Sequence, residues 1–200
     1  MTDWPFGDLQ RGHYGAILAD PPWQFVNLWN SPAGPNRGDV AYYGTMAQAD
    51  ICALPVASLA APNSVVFVWG IWSQLPQALE VIEAWGFTYK SCAFDWMKAN
   101  VQQIDLFKEE GDVQMGLGYW TRANTEFCLL GTRGKPKRLN ADVRQGIIAP
   151  RREHSRKPDG IHQRIERLVA GPYVELFARQ KRPGWDVWGN QTDKFGEAAA

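Results

Sequence analysis

Four consecutive residues, Asp-Pro-Pro-Trp at Asp20–Trp23, offer the clearest chemistry in the chain, and they follow the apolar run Ala16–Ala19. The Asp20 carboxylate and the Pro21 carbonyl can together accept the two N–H hydrogens of an exocyclic amine. Successive prolines hold the backbone extended and donate no N–H of their own, and the Trp23 ring can stack on a purine. The motif therefore predicts activation of a base amine by positioning and electrostatics. The alternative is a turn that only ends a strand.

The elements that must position this motif are predicted to alternate between strands and helices. Apolar residues at helical spacing predict helices over Gln74–Trp85 and Pro158–Val169, with Gly86 and Gly171 as stops. Short apolar runs bounded by Gly, Pro or polar residues predict buried strands at Ala16–Ala19, Val65–Trp69, Ser91–Met97, Phe127–Leu130, Ile147–Ala149, Tyr173–Ala178 and Val187–Trp188. This alternation predicts an α/β fold with a largely parallel sheet. In such sheets, ligands bind beyond the carboxyl ends of the strands.

Three longer segments do not fit that sheet: Phe25–Tyr42, Asn100–Asn124 and Arg133–Arg152. Long loops in a compact domain are usually functional or disordered. The first follows the first strong strand and is a candidate lid over a bound base. The second could read a target or contact another subunit. The third is basic, and its alternatives are phosphate binding and an ordinary solvated surface.

Charge is unevenly distributed along the chain. Twenty-one Lys and Arg balance 21 Asp and Glu over 200 residues, yet Arg133–Arg182 carries 14 basic against 5 acidic residues. A basic half fits either a polyanion-binding face or scattered surface charge.

The three cysteines, Cys52, Cys92 and Cys128, indicate a reducing compartment because they are odd in number and widely spaced. This usage argues against a disulfide framework or a zinc site. No apolar run reaches about 18 residues, so no membrane span is expected. The first residues lack the pattern of a secretory signal. A cytoplasmic protein is therefore expected.

Eight short motifs follow one another along almost the whole chain. They are ADPPW at Ala19–Trp23, YGTM at Tyr43–Met46, FVW at Phe67–Trp69, WMKAN at Trp96–Asn100, EFCLLG at Glu126–Gly131, HSRKPDGIHQRIERL at His154–Leu168, VELFAR at Val174–Arg179 and WGNQ at Trp188–Gln191. In this order they resemble the DPPW-type adenine-N6 methyltransferase family, which includes the catalytic subunit of the eukaryotic messenger-RNA enzyme and bacterial and phage relatives. The resemblance implies a Rossmann-like, S-adenosylmethionine-dependent methyltransferase fold with permuted (β-class) motif order. A length of 200 residues is that of one domain, and we expect a methyltransferase domain over residues 1–191 and a disordered tail over residues 192–200.

The resemblance also assigns roles to individual residues. It implies catalytic roles for Asp20, Pro21, Pro22 and Trp23, and substrate binding by Trp23, Tyr43 and Glu126. It implies that S-adenosyl-L-methionine contacts Asp8, Leu9, Asp20, Lys157, Phe177, Arg179, Lys181, Asn190 and Gln191. Among these, Lys157 is expected to pair with the carboxylate of the cofactor, and Asp8 with Leu9 to contact its adenine. Lys181 and Arg182 depart from the histidine and asparagine of eukaryotic relatives.

The function expected from these observations is methylation of adenine N6 in DNA, with the target base flipped out of the duplex. RNA is the first alternative, because an adenine pocket alone does not discriminate the two polymers. A silent partner subunit that only binds nucleic acid is a second alternative, although such relatives lose the motif that this chain keeps. Methylation of a cytosine amine or a protein amide is disfavoured by Asp20 and Trp23, since those related enzymes more often use Ser- or Asn-Pro-Pro followed by an aromatic residue. A homodimer or an unknown partner subunit is compatible with the sequence.

Overall fold

The fold is built on one mixed seven-stranded sheet. The computed structural model describes residues 4–24, 44–100, 113, 120–153 and 156–196. Its elements are β1 Tyr14–Ala19, α1 Gln48–Ala53, β2 Ala60–Gly70, α2 Leu75–Ala84, β3 Thr88–Ala99, β4 Thr125–Arg133, β5 Gly146–Pro150, α3 Gly160–Leu168, β6 Tyr173–Leu176 and β7 Trp185–Trp188. All seven predicted strands are present, as are both predicted helices. The α/β class is therefore confirmed.

The strand order is β5-β3-β4-β2-β1-β6-β7. Strand β4 runs antiparallel to both of its neighbours, β2 and β3, whereas every other adjacent pair is parallel. The prediction of a largely parallel sheet is thus correct for six strands and wrong for β4. As a consequence, the first residues of β4 lie at the edge where the parallel strands end. This edge is called the carboxyl edge below.

Two apolar layers cover the two faces of the sheet. One layer joins β1, β2 and β4 to α1 and α2, with Ile17, Val66 and Ile82 at its centre. The other layer lies beneath α3 and includes Leu18, Phe67, Cys128 and Ile161. Because successive residues of a strand point to opposite faces, β1 is buried along its whole length. This double burial fixes the end of β1, where Asp20 begins.

The helices differ in how strongly the sequence encodes them. In α3, Ile161 and Ile165 are buried one turn apart, as the apolar spacing predicts. In α1, Ile51 is the single buried residue and no side chain caps the first turn. One apolar position carries no periodicity, so α1 could not be predicted.

Of the three long segments, Phe25–Tyr42 lies wholly outside the described residues, and Asn100–Asn124 lies mostly outside them. The third, Arg133–Arg152, contains β5. At the end of the chain, residues 192–195 form a turn, and the Phe195 N–H donates to the Arg179 carbonyl (3.2 Å). The last four positions, 197–200, are outside the described residues.

Cys128 is buried, Cys52 and Cys92 are half-buried, and all three are free thiols. Burial is the largest influence on the pKa of the Cys128 thiol and raises it well above its usual value. Over the described part of the chain, no helix is long and apolar enough to cross a bilayer.

Candidate active site

Charged side chains from four separate parts of the chain meet at the carboxyl edge. Asp20 directly follows β1, Lys157 follows β5, Arg179 follows β6, and Glu126 is the second residue of β4. Glu126 joins the others only because β4 runs in the opposite direction. This is the edge at which ligands bind in open α/β sheets.

Lys157 bridges the two carboxylates of this cluster. Its Nζ lies 2.9 Å from Oδ1 and 3.0 Å from Oδ2 of Asp20, and 3.3 Å from Oε2 of Glu126. Arg179 Nη2 lies 3.8 Å from Asp20 Oδ2. The side chains of Asp20, Glu126 and Lys157 are each only 15% exposed. Paired charges with so little solvent interact strongly and hold one another in place.

Lys98, near the end of β3, adds a second cation to Glu126. Its Nζ lies 2.5 Å from Glu126 Oε1, so the two oxygens of this carboxylate contact different lysines. Burial alone would raise the pKa of Glu126, but Lys157 and Lys98 outweigh it and lower that pKa. Burial would likewise lower the pKa of Lys157, but Asp20 and Glu126 raise it above its usual value. Glu126 is therefore ionised and Lys157 protonated near neutral pH.

The Pro21–Trp23 backbone forms a tight turn, not the extended stretch that two prolines predict. The Trp23 N–H donates to the Pro21 carbonyl (2.8 Å), a hydrogen bond between residues two apart that defines a γ-turn. The Pro22 carbonyl accepts the Met46 N–H (2.9 Å), which ties the motif to the chain just before α1. A carbonyl oxygen has two lone pairs, so that of Pro21 retains one for another donor.

Trp23 packs into the core at the end of β1. Its ring is 7% exposed, and its Nε1–H donates to the Trp69 carbonyl at the end of β2 (3.0 Å). In the structure, Trp23 therefore anchors the motif to β2. Stacking of this ring on a base stays a prediction.

Phe177 and Gly189 bring the ends of β6 and β7 together. Phe177 has φ 60°, a left-handed conformation that non-glycine residues seldom adopt, and this ends β6 before the predicted boundary at Ala178. The Ala178 N–H donates to the Trp188 carbonyl (2.9 Å). A Cβ on Gly189 would lie 2.7 Å from the Ala178 carbonyl oxygen. Only a glycine fits at this position. Arg179 comes directly after Ala178, and its side chain lies near Asp20.

The expected cofactor residues Asn190 and Gln191 directly follow β7 and line a hollow at the same end of the sheet. Residues Gly189–Lys194 surround a volume of about 490 Å³. Lys194 Nζ donates to the Gln191 amide oxygen (3.3 Å). Lys181 pairs with Asp193 (2.9 Å) and its side chain is 54% exposed. The assignment of Asn190, Gln191 and Lys181 to the cofactor stays a prediction.

The N-terminal segment packs on the same end of the sheet. The Trp188 Nε1–H donates to the Pro5 carbonyl (2.9 Å), and the Phe6 ring meets the Trp188 ring edge-on at 5.0 Å. Leu9 packs against the first apolar layer and Asp8 is exposed. The assignment of Asp8 and Leu9 to the cofactor stays a prediction.

Three further residues, Tyr43, Lys98 and Trp72, differ in how the sequence and the structure treat them. Tyr43 lies outside the described residues, so its predicted contact with substrate is untested. Lys98 and Trp72 were not predicted as site residues. Trp72 follows the end of β2, is 49% exposed, and donates from Nε1 to Thr125 Oγ1 (2.8 Å) beside Glu126. The rule that sites form beyond strand ends could have drawn attention to both residues.

The charged cluster lies at the edge where open α/β sheets bind their ligands. The MT-A70 family model matches residues 14–191, and the chain belongs to this family. The predicted resemblance is therefore confirmed. Asp20, Glu126, Lys157, Arg179 and Gln191 all fall within the matched range.

Individual relatives differ in how much of their length this chain covers. It is 30% identical over 203 residues to the type II methyltransferase M.MunI of Mycoplasma sp, covering 94% of this chain and 81% of that protein. It is 32% identical over 186 residues to a putative N(6)-adenosine-methyltransferase MT-A70-like protein of Medicago truncatula, with 90% and 26% covered. It is 30% identical over 189 residues to the N(6)-adenosine-methyltransferase catalytic subunit METTL3 of Homo sapiens, with 91% and 29% covered. The chain thus corresponds to about a quarter of these plant and animal proteins.

Proposed function

We propose that this protein transfers a methyl group from S-adenosyl-L-methionine to the N6 amine of adenine in a nucleic acid. DNA is the proposed substrate, and RNA is the alternative. The observation that carries the proposal is the Asp-Pro-Pro-Trp motif at the end of the central strand β1, with the Asp20 carboxylate bound to Lys157 in a chain of the MT-A70 family. A permuted, Rossmann-like methyltransferase fold is part of this proposal.

The donor set of the carboxyl edge fits this cofactor. Lys157 and Arg179 are cations suited to its carboxylate, the amides of Asn190 and Gln191 suit ribose hydroxyls, and Asp20 can accept from its ammonium group. Gly189 allows the chain before Asn190 to approach the Ala178 backbone closely, since a Cβ there would lie 2.7 Å from the Ala178 carbonyl oxygen. When bound, the cofactor supplies a methyl group on a positively charged sulfur.

The chain's own residues would hold the amine in a reactive geometry. Asp20 accepts one N–H of the amine, and the remaining lone pair of the Pro21 carbonyl accepts the other. The amine nitrogen is then held with its own lone pair directed away from both acceptors. Once methylated, the nitrogen is cationic and strongly acidic. The carboxylate of Asp20 can therefore take the surplus proton and release it to solvent without a strong base.

Glu126 would sit beside the base without acting as the acceptor. Lys98 and Lys157 each contact one of its oxygens, which holds the carboxylate ionised and fixed in orientation. In this conformation Lys157 also binds both oxygens of Asp20. Each Asp20 oxygen still has a lone pair for a further donor, and a cofactor carboxylate would give Lys157 an additional partner.

DNA is placed before RNA, as expected from the sequence, and relatives of two kinds match the chain. One is a type II methyltransferase, and others are named for adenosine, the ribonucleoside. A silent nucleic-acid-binding subunit is the second candidate. It is disfavoured because the chain keeps the Asp-Pro-Pro-Trp motif that silent relatives lose.

The proposal is tested by incubating the purified protein with S-adenosylmethionine carrying a tritiated methyl group. The substrates are matched DNA and RNA oligonucleotides, single- and double-stranded, and the products are digested to nucleosides. Label in N6-methyldeoxyadenosine is the expected result. Label only in N6-methyladenosine would replace DNA by RNA. Label in neither, with cofactor binding intact by calorimetry, would favour the silent subunit.

A further inference from the structure

A groove between β5 and α3 lies beside the charged cluster and is not used by the proposed reaction. It has a volume of about 280 Å³, slightly below the range of about 300–1,000 Å³ typical of small-molecule sites. Its floor is apolar, with Ile147, Pro150 and Pro158, and Arg152 and Arg164 also line it. This is the β5–α3 groove.

The arginines of the groove are fixed in place by hydrogen bonds. Arg164 Nη1 donates to the Arg144 carbonyl (2.5 Å) and to the Gly146 carbonyl (3.1 Å), at the start of β5. Arg152 Nη1 donates to Asp159 Oδ2 (2.5 Å). A guanidinium group has five N–H donors, so each arginine keeps donors for a further acceptor.

The carboxylate in the groove does not cancel its positive charge. Asp159 has three arginine guanidinium groups around it, with Arg152 at 2.5 Å, Arg156 at 3.5 Å and Arg182 at 4.0 Å. Glu153 pairs with Arg156 at 3.0 Å. Together with Arg164, four guanidinium groups therefore face two carboxylates, and the surplus charge is positive.

The groove is physically connected to the active site. Arg152 Nη2 donates to the carbonyl of Lys157 (3.2 Å), and the Lys157 side chain binds Asp20. By contrast, the first part of the basic segment lies at the opposite edge of the sheet. Arg133 pairs with Ser64 early in β2, and the Lys135 N–H donates to Asn63. Only the later part of this basic segment can contact a nucleic-acid strand whose reacting base lies at Asp20.

We propose that the β5–α3 groove binds a nucleotide adjacent to the target adenine in the same strand. Its phosphate lies between Arg152 and Arg164, and its sugar or base packs on Ile147 and the two prolines. Arginine is suited to phosphate because its planar donors match two oxygens at once. This inference rests on the proposed function, since it takes the strand to be the one that carries the reacting base.

The test compares the double variant Arg152→Gln/Arg164→Gln with the wild-type protein. The charge-matched control is Lys135→Gln/Lys137→Gln, which removes two exposed cations from the other end of the β4–β5 connection. Binding of a fluorescent mixed-sequence DNA oligonucleotide is measured by anisotropy over a range of salt concentrations. One lost phosphate contact should reduce the slope of log K against log salt by about 0.7–0.9. The control should leave the slope unchanged.

A neutral oligonucleotide with methylphosphonate linkages supplies the second arm. Wild type and double variant should bind it equally, because it has no phosphate charge to lose. The variant Arg152→Lys/Arg164→Lys, which keeps the charge, should restore most of the slope, and thermal unfolding checks that each variant is folded. An equal loss of slope in variant and control, or an unchanged slope in both, would overturn the proposal. Because the readout is binding, it stands apart from the methylation assay: wild type that binds but does not methylate refutes the proposed function alone.

Discussion

Replacing Lys157 by methionine should destabilise the protein in a pH-dependent manner. Lys157 Nζ contacts Asp20 at 2.9 Å and Glu126 at 3.3 Å, with all three side chains only 15% exposed. Methionine fills a similar volume without the charge. Two carboxylates would then remain close together without the cation that they share.

The size of the effect follows from these distances. At about 3 Å and an effective dielectric constant near 20, each ion pair has a gross attraction of about 5 kcal/mol, partly offset by desolvation. Removing one partner of a buried pair typically costs about 3–5 kcal/mol. Arg179 still faces Asp20 and Lys98 still contacts Glu126. We therefore expect a loss of about 2–3 kcal/mol in the free energy of unfolding near pH 7.

The sign of the pH dependence follows from Glu126. In the wild type its pKa is lowered, so it contributes stability above its usual pKa, and this contribution is lost as the pH falls through the folded-state pKa. Without Lys157, burial should raise that pKa, so the variant is penalised mainly when the carboxylate is ionised. The difference between wild type and variant should therefore shrink as the pH falls from about 7 to about 4.

This difference is measured by urea unfolding at about pH 7 and about pH 4. The proteins compared are the wild type, Lys157→Met and the control Lys137→Met. Lys137 is exposed in the β4–β5 connection, and its replacement should change stability by less than about 0.5 kcal/mol. A Lys157→Met loss as small as the control, or one that is equal at both pH values, would refute the account of the cluster.

Two further substitutions test how the site is positioned. Trp23→Phe removes the hydrogen bond to the Trp69 carbonyl and leaves that acceptor buried; chemical denaturation should show a loss of about 1–3 kcal/mol, and an unchanged midpoint would contradict the anchoring role. Gly189→Ala places a Cβ 2.7 Å from the Ala178 carbonyl oxygen. It should cost about 1–3 kcal/mol of stability and weaken cofactor affinity by calorimetry, whereas a variant with wild-type affinity would exclude Gly189 from the cofactor surface.

The two central strands could be predicted most directly, because burial on both faces makes their inner runs apolar. The runs at Ala16–Ala19 and Val65–Trp69 are examples, and both proved to be central strands. The direction of β4 could not be predicted in the same way, since strand pairing depends on contacts between residues far apart in sequence. Helix α1 was missed because Ile51 alone gives no periodic pattern.

Three members of the charged cluster were singled out from the sequence, but the contacts between them were not. Asp20, Glu126 and Lys157 were each singled out from motifs, yet no motif indicates that one lysine bridges both carboxylates. That contact depends on the reversal of β4. The γ-turn at Pro21 was also not predicted, because two prolines restrict the backbone without specifying which hydrogen bond closes it.

The most direct test of the central claim, that the Asp20 carboxylate holds the reacting amine, is the rate of methyl transfer by Asp20→Asn at saturating cofactor. The variant keeps the shape of the side chain but replaces one acceptor oxygen by a donor. It should lower the rate by about 10²–10³-fold, as expected for loss of one preorganised electrostatic contact. The surface control Asp142→Asn, which loses only an exposed pair with Arg167, should retain the wild-type rate. An Asp20→Asn variant that methylates adenine at the wild-type rate would contradict the assigned role.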